Sequence, residues 1–365
     1  MQLPSFLGAF WEQVNVLLAQ KDVVRALIVF FMLFFWLWST KDGELSGIKN
    51  VFRKMGFWAE SVIYMLLSKD NKGIGDKYQI PGSESDPAHV MKKGFQNCSM
   101  KRLVFVRHGE SDWNNIFNKG KNPMMLVRLV VALIREVLLC FDLDSPFLDS
   151  PLNDEGIQQA LELRKFIDED HIGDTPAQKE ILAVLRGEKG KSIVVSSTLR
   201  RAISTTSLAF WPRIQRTGEK IHLMSCAQEI SRNVDTCALS LPQKVPNLPF
   251  NRITGHCANI SEASYNASQN LGSKSLSFNG KSRLEAFNKW LFESVEDTII
   301  VGGHSLWFQC FFRLYMPYSV VHRAKTEKLT NSGAIAFNIY KLNDSKTYCI
   351  DPESMQVVYG GFTKK

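Results

Sequence analysis

The stretch LVFVRHGESDWN, Leu103 to Asn114, decides how the chain is read. Leu103 to Val106 are four consecutive β-formers and predict a buried strand. The strand runs directly into Arg107 and His108. Gly109 follows, a residue that lets the backbone turn sharply or come close to a ligand. In open α/β sheets the groups that do chemistry collect beyond the carboxyl ends of the strands. A strand end carrying two solvated polar side chains is the plain alternative, and the rest of the chain has to decide between the two.

The pattern recurs. From Lys101 onward, apolar strands alternate with helical stretches, which predicts an α/β fold. SPLNDEGIQQALELRKFIDE offers Asn153 as a helix N-cap, acids in the first turn, and an apolar face from Ile157 to Ile167. SIVVSS (Ser192 to Ser197) predicts a second buried strand, and TLRRAISTTSLAFW a helix. IHLMSCAQEISRN predicts a strand ending near Glu229, and SRLEAFNKWLFESV a helix. TIIVGGHSLWFQCFFRLY repeats strand, glycine turn, histidine and helix. GAIAFNIYKL and the region of MQVVYGG predict a last pair of strands. Three strands thus end in notable groups: Arg107 with His108, Ser197 with Arg200 and Arg201, and His304. Parallel strands would bring them to one sheet edge.

The chain has 365 residues, 45% hydrophobic and 22% charged, the composition of a globular protein rather than a disordered one. Its formal net charge of +8 suits an anionic substrate or an anionic surface. The seven cysteines, at 98, 140, 226, 237, 257, 310 and 349, form no CxxC pair and no zinc spacing with histidine. They read as core or free thiols, compatible with a reducing compartment.

Before the α/β region, an unbroken apolar run extends from Ala26 to Trp38. Val23 and Val24 lengthen it if Arg25 snorkels, and Trp36 and Trp38 fit an aromatic belt. The expectation is a transmembrane anchor over residues 23–40, preferred over a cleaved signal peptide or a buried core helix. Lys41, Lys49, Arg53 and Lys54 follow the run, against Lys21 and Arg25 before it. That bias predicts a single-pass protein with its catalytic domain on the cytosolic side. The four N-x-S/T triplets at Asn97, Asn259, Asn266 and Asn343 argue the other way but arise easily in such a sequence. The expected organisation is a lead over 1–22, the anchor over 23–40, an amphipathic segment and linker over 41–99, and a catalytic domain over 100–365. Two insertions interrupt that domain. Residues 115–147 are apolar and punctuated by Lys119, Lys121, Arg128 and Arg135; they read as a helix on the bilayer, a cap over the pocket, or a helix packed on the domain's own core. Residues 236–279 are rich in Asn and Ser and read as a mobile surface excursion.

Two arginines and two histidines at one sheet edge would make a cationic pocket. Guanidinium groups bind phosphate bidentately and keep their charge at any relevant pH. A histidine among such cations has its pKa pushed down, so its imidazole stays neutral and nucleophilic near pH 7. Attack on phosphorus then needs donors for the equatorial oxygens and a proton for the leaving oxygen. Glu229, after an apolar strand, is the leading proton donor, with Glu110, Asp112 and Asp235 as rivals. This chemistry requires no metal and no other cofactor, and a nucleic-acid partner is not expected.

In this order, FVRHGESDWN, SPLNDEG, SSTLRRAISTT and VGGHSLWFQ resemble the landmarks of the histidine phosphatase superfamily, also called phosphoglycerate mutase-like, over about residues 101 to 342. The resemblance implies a three-layer α/β sandwich with a mostly parallel central sheet flanked by helices, here preceded by the membrane helix. It implies that His108 is the phosphorylated nucleophile, that Arg107, Arg201 and His304 bind the transferring phosphate, and that Glu229 is the proton donor. Asn114 matches a family position that also touches phosphate. Arg201, not Arg200, precedes the Ala of the family's Arg-Ala motif. Two departures matter. QEISRNVD stands where the family's cofactor-dependent mutases usually carry Glu-Arg-His-Tyr-Gly, and Ser305 follows His304 where glycine is common. Both favour hydrolysis of a phosphomonoester over a mutase reaction. A catalytically silent module that binds phosphorylated partners is the reading from a different class. The implied partners are a phosphorylated substrate and, through the N-terminal helix, a membrane.

Overall fold

Strands that are apolar on both faces can only be buried between two layers of helices, and the central strands here have that composition. The computed structural model describes residues 46–74, 86–117, 119, 123–169, 175–343 and 345–364. Helices α1 (Ser46–Leu67) and α2 (Pro87–Lys92) precede strand β1 (Cys98–Arg107). Next come α3 (Asp112–Phe117), α4 (Pro123–Leu138), α5 (Asp154–Asp168) and α6 (Pro176–Leu185), then β2 (Ser192–Ser197), α7 (Arg200–Thr217) and β3 (Ile221–Met224). After α8 (Phe250–Ile253) come β4 (Tyr265–Gln269), α9 (Gly280–Glu293), β5 (Thr298–Gly303) and α10 (Ser305–Tyr315). The remaining strands are β6 (Lys328–Leu329), β7 (Ala334–Leu342), β8 (Tyr348–Ile350), β9 (Gln356–Tyr359) and β10 (Phe362–Thr363).

The main sheet runs β4-β3-β2-β5-β1-β7-β8, with β9 also on β7. From β4 to β1 every pairing is parallel, and β7 joins β1 antiparallel. The fold is therefore mixed α/β with a mostly parallel central sheet flanked by helices. Alternate residues of one strand serve the two cores. Val104 and Val106 pack with Val194, Ile203 and Leu163 on one side, while Leu103 and Phe105 pack with Val301, Trp307 and Phe287 on the other. Phe105 is fully buried and lies 4.3 Å from Phe308 and 4.9 Å from Phe337, centroid to centroid. Truncating such a ring costs about 3–5 kcal/mol, so these ring contacts tie α10 firmly to the sheet.

The register places the site. Arg107 pairs with Gly303 across β1 and β5, and Ser196 pairs with Gly302 across β2 and β5. His108 and His304 therefore leave the sheet side by side, one residue beyond the level of Ser197.

Several expectations are corrected. The strand predicted to end near Glu229 stops at Met224; a 3-10 turn, Ser225–Ala227, follows, and Glu229 lies beyond it. The excursion over 236–279 contains β4, a polar edge strand that pairs with β3 and has no β-branched residue to announce it. The single-pass membrane localisation with a cytosolic catalytic domain is overturned for the described residues, none of whose helices is long and apolar enough to cross a membrane. The longest of them, α1, carries Lys49, Arg53, Lys54 and Glu60. At about 1.5 Å per residue, α4 spans only about 24 Å, short of the roughly 30 Å of a bilayer core, and holds Arg128, Arg135 and Glu136. The stretch 23–40 on which the anchor was placed lies outside the described residues. In α4 only Ala132 is buried, and Leu126, Val127, Val130, Val131, Ile134 and Val137 are exposed. A helix packed on its own core would have buried that face.

Candidate active site

Gly109 is needed for packing. A Cβ on it would collide with the backbone of Gly156 in the first turn of α5, and a Cβ on Gly156 would collide with Glu110. This contact docks SPLNDEG against RHGES. Ser111 bridges Leu152, the Glu110 carbonyl accepts from Asn153 N at 3.1 Å, and the Glu110 N–H donates to Gln159 Oε1 at 2.9 Å. Asn153 caps α5 by accepting from Gly156 N at 2.8 Å. The Gly109 N–H donates to Thr205 Oγ1 of α7 at 3.0 Å. The loop after β1 is thus fixed on two sides.

His108 is buried, and its backbone N–H donates to the Gly303 carbonyl at 3.0 Å. Its Nδ1 lies 2.6 Å from the Gly109 carbonyl. A carbonyl only accepts, so the neutral ring carries its proton on Nδ1 and Nε2 keeps a lone pair. Burial, then the charges of Arg201 and Arg107, hold the His108 pKa well below the usual histidine value. Lys328 adds to that field; nothing in its local sequence, EKLTNSG, announced it. His304 is fully buried, with its ring centroid 5.1 Å from that of His108. Its Nε2 lies 2.8 Å from Ser197 Oγ, and its Nδ1 is buried without a hydrogen-bond partner. Burial and Arg201 again depress its pKa most.

The two adjacent arginines separate. Arg200 turns into the protein, where Nε donates to the Asp149 carbonyl at 2.9 Å, Nη1 to Asp144 at 2.5 Å and Nη2 to the Ser145 carbonyl at 2.9 Å. Arg201 acts on both histidines, and its Nη1 donates to the Asp235 carbonyl at 2.8 Å, with Nη2 3.3 Å from Asp235 Oδ2. Arg107 donates from Nη1 to the Leu329 carbonyl at 2.6 Å and leaves a buried Nε unpartnered. Burial lowers its pKa to about 10, so it stays protonated at neutral pH. Asn114 lies in the first turn of α3, its N–H donating to Ser111 Oγ at 3.3 Å.

Glu229 is brought to the same region. Its Oε1 accepts from Trp307 N at 2.9 Å, in the first turn of α10, and from Ile230 N at 3.1 Å. Its charge acts on both Arg107 and Asp235. The rival acids divide. Glu110 pairs with Lys119 at 3.3 Å and Asp112 with Arg135 at 3.1 Å. Asp235 is buried beside Arg201, with Oδ1 unpartnered, and burial raises its pKa to about 6. Among the described residues no group of three or more His, Cys, Asp or Glu side chains is arranged to hold a metal ion.

No family model and no curated protein matches the chain. Among solved structures it is similar to a mycobacterial glucosyl-3-phosphoglycerate phosphatase, at 14% identity over 69% of this chain and 98% of the other, TM-score 0.34. It is also similar to an Escherichia coli protein assigned as an alpha-ribazole-5'-P phosphatase, at 16% identity over 72% and 98%, TM-score 0.34. A third is a phosphoserine phosphatase of Entamoeba histolytica in complex with phosphoserine, at 14% identity over 72% and 96%, TM-score 0.31. All three of these neighbours are named as phosphatases. At such identity and TM-score the likeness adds no weight to any residue's role.

Proposed function

We propose that the chain is a phosphomonoester hydrolase that works through a phosphohistidine. The observation that carries this reading is His108 itself. It is a buried imidazole tied by Nδ1 to a backbone carbonyl, with Nε2 bare and Arg107, Arg201 and His304 around it. Nε2 attacks phosphorus, the P–O ester bond breaks, and the equatorial oxygens are held by the two guanidinium groups and His304. Glu229 is the donor of the proton that the departing alkoxide takes up. The resulting carboxylate then takes a proton from water, whose oxygen bonds to phosphorus as the P–N bond breaks, releasing phosphate and returning the electron pair to Nε2 of neutral His108. Asn114 is assigned to the phosphate on the family pattern.

A second reading concerns the donor only. The raised pKa and the unpartnered Oδ1 of Asp235 favour it as an alternative source of the proton. Glu229→Gln and Asp235→Asn compared on a poor leaving group decide the point, since loss of the true donor costs roughly 10²–10⁴-fold.

The test of the function uses the full chain, incubated with a radiolabelled aryl phosphate and quenched in base, where phosphohistidine survives. Label on the parent, phosphate release, and loss of both in His108→Ala by roughly 10⁴-fold are expected. A folded parent with neither label nor release overturns the reading. A phosphate isomer in place of free phosphate would mark a mutase instead.

A further inference from the structure

Asp70 lies in the stretch that reads as a linker, yet it is fully buried. Its backbone N–H donates to Ser68 Oγ at 3.1 Å, and its carbonyl accepts from Gly280 N at 3.1 Å, at the start of α9. Its carboxylate takes a two-pronged grip from Arg283, Nη1 to Oδ1 at 2.9 Å and Nη2 to Oδ2 at 3.1 Å. Lys274 Nζ stands 3.6 Å from Oδ2. All three side chains are buried.

Both cations also reach the acid-bearing segment. Lys274 Nζ donates to the Glu229 carbonyl at 3.1 Å, the Ser231 carbonyl at 2.6 Å and Thr236 Oγ1 at 2.8 Å, which uses all three of its protons. Arg283 Nη2 also reaches the Glu229 carbonyl, at 3.3 Å. Glu229 is therefore held at both ends, by its carbonyl from this cluster and by its carboxyl from the N–H of Trp307. The segment has no ladder of its own, because β3 stops at Met224. Buried ion pairs are poor stabilisers, since desolvation offsets the Coulombic gain, so stability alone is a weak account of this cluster.

We infer that Asp70, Arg283 and Lys274 are positioning residues for proton transfer, fixing the 229–236 segment so that Glu229 meets the leaving oxygen. The inference rests on the phosphatase reading and extends the site to a residue outside the α/β region. The readout is a ratio. 2,4-Dinitrophenolate leaves without a proton, whereas phenolate departs far faster with one. The ratio of kcat/KM for 2,4-dinitrophenyl phosphate to that for phenyl phosphate therefore reports proton donation alone. Because both activities come from one preparation, the ratio does not depend on how much of a variant is folded.

Glu229→Gln sets the scale, raising the ratio by roughly 10². Asp70→Asn, which keeps the shape and removes the charge, and Lys274→Met, an apolar replacement, are each expected to raise it about tenfold or more. Ratios within about twofold of the parent in both variants, whatever the loss in total activity, overturn the inference and leave the cluster a structural one. A parent inactive on both esters is a different result and overturns the phosphatase reading itself.

Discussion

The two halves of this site are built by different means. The basic half stands on backbone: Arg107 and Ser197 end, and His108 and His304 directly follow, three neighbouring parallel strands, in a register that puts Arg107 opposite Gly303. The acidic half stands on side chains. Glu229 lies on irregular chain and Asp235 in a single 3-10 turn, both after a strand of four residues and held by Lys274, Arg283, Arg201 and the start of α10. Groups set by a sheet move only if the sheet does. Groups set by side-chain grips move when a single distant residue changes.

The adjacent arginines sharpen the contrast most. Arg201→Lys removes the planar fork beside both histidines and is expected to lower kcat/KM by roughly 10²–10³-fold, with a smaller loss of stability than at Arg200, because it gives up one buried hydrogen bond and one ion pair, both to Asp235. Arg200→Lys breaks buried hydrogen bonds to Asp149, Ser145 and Leu148. It is expected to cost about 2–4 kcal/mol of stability while kcat/KM per folded molecule stays within about twofold. Urea melts and initial rates on both variants check the pair. Equal kinetic losses would erase the distinction drawn between them.

A smaller effect is expected at Ser197→Ala. It leaves His304 Nε2 without its partner at 2.8 Å, in a ring whose Nδ1 is already unpartnered. An unsatisfied buried group costs about 1–3 kcal/mol of stability; the ring also loses the contact that orients it toward the phosphoryl oxygens, so kcat should fall roughly 10–100-fold with KM little changed. Steady-state kinetics at two pH values separate this from a loss of fold.

The smallest effect is on stability with pH. His108 and His304 have folded pKa values below the ordinary histidine value. Below about pH 6.5 the unfolded chain therefore binds more protons than the folded one, and stability falls as the pH drops, by up to about 1.4 kcal/mol per unit for each residue. Asp235 runs the other way. Its folded pKa of about 6 exceeds the unfolded value, so its contribution is present in acid and is lost as the pH rises through 6. The urea midpoint should therefore drop between pH 7 and 5.5, and drop less in His304→Gln. A parallel fall in both proteins would remove His304 from the account.

The same division explains what the sequence made legible. LVFV, SIVV and TIIVGG are continuous apolar runs, and each carries its polar groups at its own end. Register then follows from strand pairing, so local pattern was enough to bring the histidines together. Arg200 and Arg201 could not be told apart by type. One faces Asp144 and Asp149, the other Asp235, and both choices depend on chain distant in sequence. Asp70 was invisible because a lone acid between Lys69 and Asn71 has no periodicity; its partner lies at position 283. The polar strand YNASQ was missed because edge position, not composition, makes it a strand.

The contact between Gly109 and Gly156 bears on how related chains should be weighed. Neither glycine tolerates a side chain: the backbone of Gly156 occupies the space at Gly109, and the backbone of Glu110, the next residue, occupies it at Gly156. The Arg-His-Gly-Glu and Asn-Asp-Glu-Gly stretches are therefore correlated by one steric requirement, and finding both in a new chain is closer to a single sighting than to two. A chain that keeps one glycine and loses the other has given up this docking, whatever else of either stretch it retains.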